Sequence, residues 1–117
     1  MVVLAGISSL PLAVVPFASS IVLVSGAPTS RPASSSAIVF GHLICAVSGL
    51  VFNALDFDKT TGISAAVAMS VVLMLLFDVF HPPAGVTPLI VYGSAAHWDF
   101  LFIPILVGAI SVAVLVR

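Results

Sequence analysis

The stretch Asp78-Val79-Phe80-His81-Pro82-Pro83-Ala84-Gly85-Val86-Thr87 interrupts a mainly apolar run that extends from Ile63 to Ala96. As one straight α-helix that run would be roughly 50 Å long at about 1.5 Å per residue, well beyond a bilayer core of roughly 30 Å. Two consecutive prolines delete two backbone donors and push the preceding residue out of the helical region, so the run must break or turn at His81-Pro82-Pro83. Before the break lies one full apolar span. After it lies a shorter stretch, about 84–96, which reads as a half-helix.

The surrounding chain has the same character. Of its 117 residues 62% are hydrophobic and 6% are charged, and the mean hydropathy is +1.37. Seven charged side chains (Lys+Arg 3, Asp+Glu 4) cannot cover a soluble exterior, so lipid is the expected outer solvent. Polar interruptions divide the chain into four apolar regions, about 2–26, 38–55, 63–80 and 100–116. The loop from Pro28 to Ser36 and the turn from Asp56 to Thr60 are the first separators. Backbone groups in hydrocarbon must bond internally, and no alternating barrel pattern is present, so the expected fold is an all-α integral membrane domain over residues 1–117. The first region continues past residue 20 without a basic start or a small-residue cleavage site, and reads as a membrane segment rather than a signal peptide. Lys59 and Arg117 against Arg31 give a slight preference for cytoplasmic termini.

Two of the four regions are expected to be interrupted by proline. Pro16-Phe17-Ala18-Ser19-Ser20 through Gly26 aligns with Pro83-Ala84-Gly85-Val86-Thr87 through Gly93: proline, a small residue two on, a hydroxyl four on, an aliphatic run, then glycine. Each copy precedes a loop and one more span, which suggests an internal duplication. Paired broken segments point to a transport site in membrane proteins. A helix starting at Pro83 would leave its first N–H groups open near Gly85 and Thr87, a setting for a small anion. Pro16, Ser19 and Ser20 would present the same arrangement from the other copy. The alternative is that both are packing kinks.

Other polar residues gather around these breaks. Asp78 precedes His81 by three positions, which on a helix places both on one face and makes them candidates for carrying a proton; the alternative puts Asp78 in headgroup water. His42 lies beside a stripe of small residues, Gly41, Cys45 and Gly49, and is expected to point into the bundle, either as a ligand-binding group or satisfied by a carbonyl. His97 and Trp98 before Asp99 suit a membrane boundary. The candidate substrate-binding set is therefore Pro16, Ser19, Ser20, His42, His81, Pro82, Pro83, Gly85 and Thr87, with Asp78 and His81 as proton-coupling candidates.

Several classes are disfavoured. A net charge of -1 with three basic residues offers no phosphate-binding patch, so nucleic acid is not an expected partner. Cys45 is the only cysteine, the three histidines have no metal-ligand spacing, and no glutamate occurs, so neither a metal nor another cofactor is expected. No nucleophile, histidine and acid set suggests an enzyme.

These motifs together resemble the HPP family of integral membrane proteins. The likeness runs through Pro16-Phe17-Ala18-Ser19-Ser20-Ile21-Val22-Leu23, then Pro28 and Ser30, then Gly41-His42-Leu43, then His81-Pro82-Pro83-Ala84-Gly85 with Thr87. The resemblance implies a four-span domain and a transport role for a small anion, with nitrite suggested by plastid and cyanobacterial relatives. A cell membrane, inner or plasma, is the expected location, and the plastid envelope is the alternative. Where relatives commonly carry Gln-Pro-Arg-Asn this chain has Ser34-Ser35-Ser36-Ala37, so their basic contact is absent; Ala18 and Pro88 also depart from the pattern. Four short spans enclose little volume, which favours a homo-oligomer in the bilayer. The rival is a non-transporting membrane module packed on a partner protein through its small-residue faces.

Overall fold

The computed structural model describes residues 10–94 and 97–115, which form helices and turns with no strand among them. The α-helices are α1 (Leu10–Gly26), α2 (Ser35–Ala54), α3 (Lys59–Leu76), α4 (Thr87–Ser94) and α5 (Val107–Leu115). Residues 2–9 of the first expected span, 95–96 of the half-helix and 116 of the last span lie outside the described residues.

Local chemistry sets the helix ends. Ser34 caps α2, its hydroxyl accepting the Ala37 N–H at 3.3 Å, and so starts the helix three residues before Ile38. Asp58 caps α3 by accepting the Thr61 N–H at 2.9 Å. That bond holds the Asp58 carboxyl below its ordinary value. Its support is therefore present above the ordinary carboxylate range and is lost as pH falls through the depressed value. At the other end Asp78 has φ 56, a left-handed conformation that a helix cannot continue through. Consequently α3 occupies Lys59–Leu76, about one turn earlier than the expected 63–80.

The two proline sites behave differently. Pro82-Pro83 opens a 3₁₀ turn over Pro82–Val86, which leads into the eight-residue helix α4; a short helix follows the break, but it begins at Thr87 and not at Pro83 as expected. By contrast α1 runs unbroken through Pro16, which corrects the expectation of an interruption there. A single proline costs a helix one backbone bond, which the flanking apolar residues tolerate. Two in succession, preceded by a left-handed Asp78, do not allow continuation. Pro16 is thus not a helix start, and no open N-terminal turn exists at that copy. The last region is also irregular: a 3₁₀ turn at Trp98–Leu101 and a π turn at Phe102–Leu106 precede α5. Pro104, with no N–H, lies within the π turn.

Helix α2 is the hub, touching α3, α4 and α5. One core cluster joins Phe17 of α1, Ile38 and Ala46 of α2, Ile105, and Ala109, Val112 and Ala113 of α5. A second joins Cys45, Met74 and Ala84. The small-residue stripe of α2 lets the proline segment in. A Cβ on Gly41 would lie 2.8 Å from the His81 Cβ, and one on Gly49 would lie 3.1 Å from the Pro88 Cα. The surface is apolar: Val22, Leu76, Phe77 and Leu115 are 72%, 74%, 68% and 78% exposed, whereas Ser20, His42, His81 and Thr87 are fully buried. Helices α2 and α3, 20 and 18 residues, are long and apolar enough to cross a membrane. Polar inside and apolar outside is the arrangement lipid favours.

Candidate functional site

Three buried side chains from three segments meet at the centre. The Ser20 hydroxyl of α1 lies 3.0 Å from Nε2 of His42 on α2 and 2.7 Å from Nε2 of His81. The imidazoles stand edge to face with centroids 5.1 Å apart, and Phe17 covers His42 at 4.7 Å. Ser20 also approaches the Pro16 carbonyl at 2.8 Å. His81 is the residue before the 3₁₀ turn and has extended backbone (φ -132, ψ 92). Its side chain does not cap that turn. Its Nδ1 lies instead 2.6 Å from the Pro32 carbonyl.

The hydrogen positions follow from which atoms can donate. A carbonyl only accepts, so His81 Nδ1 carries a hydrogen. With a neutral ring its Nε2 is then bare and accepts from the Ser20 hydroxyl. That hydroxyl has one hydrogen, for which the Pro16 carbonyl at 2.8 Å is the other acceptor; with the hydrogen on His81, the contact with His42 is completed by the His42 Nε2–H. The remaining nitrogen, His42 Nδ1, is buried and has no partner among the described residues, and the same holds for Thr87 Oγ1. Buried polar atoms are ordinarily satisfied, so each is a candidate contact for an internal water or a bound group.

The structure brings together some of the residues singled out in the sequence and disperses others. Ser20, His42 and His81 form the cluster, the Pro16 carbonyl lies against Ser20, and Thr87 is fully buried. Ser19 is exposed and donates back to carbonyls of its own helix, Val15 and Pro16 at 3.1 Å each. Pro82 is exposed and Pro83 half-buried; a Cβ on Gly85 would meet nothing within 4 Å, so no close packing demands that glycine. His97 and Trp98 are exposed.

Asp78 does not share a helical face with His81, because α3 has ended at Leu76. It lies exposed and forms an ion pair with Arg31. Arg31 adjoins Pro32, so the loop is fastened to the proline segment twice: outside by the ion pair, inside by the carbonyl on His81. Sequence reading missed this strap. Neither a backbone carbonyl nor a long-range ion pair leaves a periodic signal. Because the ion pair is exposed, Asp78→Asn is expected to cost at most about 1 kcal/mol in thermal unfolding in detergent. Asp78→Leu should cost about 1–2 kcal/mol more, because a leucine resists the left-handed backbone.

The family model described as the HPP transmembrane region matches residues 1–116. The chain belongs to the HPP family. Two proteins of Dictyostelium discoideum, each described as a transmembrane protein, are similar to it, 36% identical over 104 residues and 33% identical over 103. The alignments cover 80% and 81% of this chain but only 36% and 33% of the relatives, so the chain spans about a third of their length. No solved structure matches. As an HPP transmembrane region the chain is a membrane protein, in keeping with the apolar exterior of its helices. The motif that gives the family its name, His81-Pro82-Pro83, supplies both the central imidazole and the turn that carries it inward.

Proposed function

We propose that this HPP domain is a multi-pass transporter or channel for a small inorganic anion, nitrite-like by family resemblance, and coupled to protons. The observation that carries the proposal is the convergence of the two proline segments on one buried site, with Ser20 2.7 Å from His81 and one further polar atom there, His42 Nδ1, buried without a partner among the described residues. Hydroxyl and imidazole groups at a buried site can hydrogen-bond a small anion, provided that a proton enters with it to supply the charge. Asp78, exposed and paired with Arg31 beside the same segment, is its proposed link to solvent protons.

The reading includes four spans, internal duplication and assembly of several copies in a cell or plastid membrane. Duplication is supported by position: the offset that pairs Pro16 with Pro83 also pairs Ser20 with Thr87, both fully buried, and Gly41 with Gly108. Each of those glycines faces the other half, Gly41 against His81 and Gly108 against the Phe17 ring. The rival, a module docked through small-residue faces, is weakened because Gly41 and Gly49 are already covered by His81, Pro88 and Val91 of the same chain.

The test is uptake into proteoliposomes, comparing nitrite, nitrate, formate and chloride with and without a pH gradient. Accumulation of at least one anion above protein-free vesicles is expected. If none moves, the transport reading fails and the docking module becomes the better account. Cross-linking in membranes should recover dimers or larger species; recovery of monomer alone would remove the oligomer from the proposal.

A further inference from the structure

Among the described residues, the site contains no permanent cation. The buried polar ones among the described residues are Ser20, His42, Ser48, Ser70, His81 and Thr87. The segments packed around His81 contribute His42 and Cys45 from α2, and Arg31 and Asp78, which are exposed and neutralise each other. Tyr92 of α4 lies instead against Gly62. A bare anion entering here would lose its hydration without meeting a fixed positive charge, which is prohibitive in a low-dielectric interior. The charge must arrive with it.

The geometry points to a proton relay, His42 to Ser20 to His81, that makes the cargo a monovalent anion taken up with one proton in an electroneutral step. This rests on the transport reading of the same site. In the resting arrangement His42 presents a bare Nδ1 and donates through Nε2–H to Ser20, which donates to the bare Nε2 of His81. A weak acid, or its anion with a proton from solution, delivers that proton to His42 Nδ1, forming an N–H bond. The His42 Nε2–H bond breaks as a new Ser20 O–H forms, and the original Ser20 hydrogen forms the Nε2–H of His81. One proton has entered and none is left over. The anion now faces a donor at His42 Nδ1–H, while the positive charge rests on His81.

Every member of the charged state is satisfied by contacts already present. His81 donates through Nδ1 to the Pro32 carbonyl and through Nε2 to Ser20, at 2.6 and 2.7 Å. Ser20 turns its hydrogen to His42 Nε2 at 3.0 Å or to the Pro16 carbonyl at 2.8 Å. Pro16 thus has a use that sequence reading assigned to a helix break: its carbonyl is an alternative acceptor for the hydroxyl.

Nitrite serves as the probe. In wild-type proteoliposomes a pH gradient should drive nitrite accumulation, and a potassium–valinomycin potential of either sign should leave the rate unchanged. Ser20→Ala is expected to reduce the pH-driven rate about tenfold or more, the effect of losing a hydrogen bond to a charged group. Ser20→Thr, which keeps the hydroxyl, should retain it. A wild-type flux that follows the potential, or a Ser20→Ala flux still fully driven by pH, would overturn the relay. A readout without transport uses ¹⁵N-histidine-labelled protein in micelles. Adding nitrite at mildly acidic pH should move the His81 Nε2 signal to the protonated range in wild type and Ser20→Thr but not in Ser20→Ala. If no vesicle shows uptake, the transport reading falls while this titration still decides the relay; no nitrite-dependent change in wild type would sink it.

Discussion

Gly41→Ala is expected to lower the stability of the protein by about 1–3 kcal/mol, the range for overpacking a close contact, and to abolish the proposed transport with it. The added Cβ would sit 2.8 Å from the His81 Cβ and 3.3 Å from the Val79 carbonyl. Neither neighbour can yield cheaply. The His81 backbone is followed by two prolines, and its ring is held at both nitrogens, by Ser20 and by Pro32. The whole proline segment would have to move away from α2, opening the second core cluster of Cys45, Met74 and Ala84. Two other glycines calibrate the measurement. A Cβ on Gly62 meets the Tyr92 hydroxyl, the far end of a side chain that can swing, so Gly62→Ala should shift unfolding less. A Cβ on Gly26 meets nothing within 4 Å, so Gly26→Ala should leave stability unchanged or raise it. Circular dichroism melts in detergent give the order. Equal losses at Gly41 and Gly26 would mean that the close approach of α2 and His81 is not a feature of the folded protein.

His81→Ala should cost about 2–4 kcal/mol and remove the proposed anion flux completely. The substitution deletes hydrogen bonds to Ser20 and Pro32, leaves the Pro32 carbonyl short of a partner, and opens a cavity at a fully buried position. A stability loss of that size would by itself reduce activity, so the informative comparison is His81→Gln. A glutamine amide can donate to one neighbour and accept from the other, and should recover part of the stability. It cannot take up a proton near neutral pH, so proton-driven flux should stay absent. Full flux in the glutamine variant would show that the imidazole is a structural bridge and no more.

Much of the architecture is legible before any coordinates. Composition alone calls for lipid around the molecule, because seven charges cannot solvate 117 residues. The length of the Ile63–Ala96 run calls for a break, and the double proline says where. The hydroxyl four positions after each proline singled out Ser20 and Thr87, and both are fully buried. Pro16 shows the limit of such reading: local chemistry permits either a kink or a continuous helix, and the energy of one missing backbone bond is small enough for surrounding packing to choose. Asp78 shows the same limit from the other side, since its spacing to His81 implies a shared face only if the helix lasts that long.

The sequence by itself determined that the helices are apolar outside, that the chain breaks at His81-Pro82-Pro83, and that small residues line α2. These depend on hydrophobicity, on missing N–H groups and on side-chain volume, which are properties of residues and short windows. Only the tertiary structure decided that Ser20, His42 and His81 share hydrogen bonds, that the Pro32 carbonyl selects the His81 tautomer, and that Arg31 holds Asp78 outside. Those contacts join positions 22 to 61 residues apart, and their existence depends on distances and angles that no local pattern encodes.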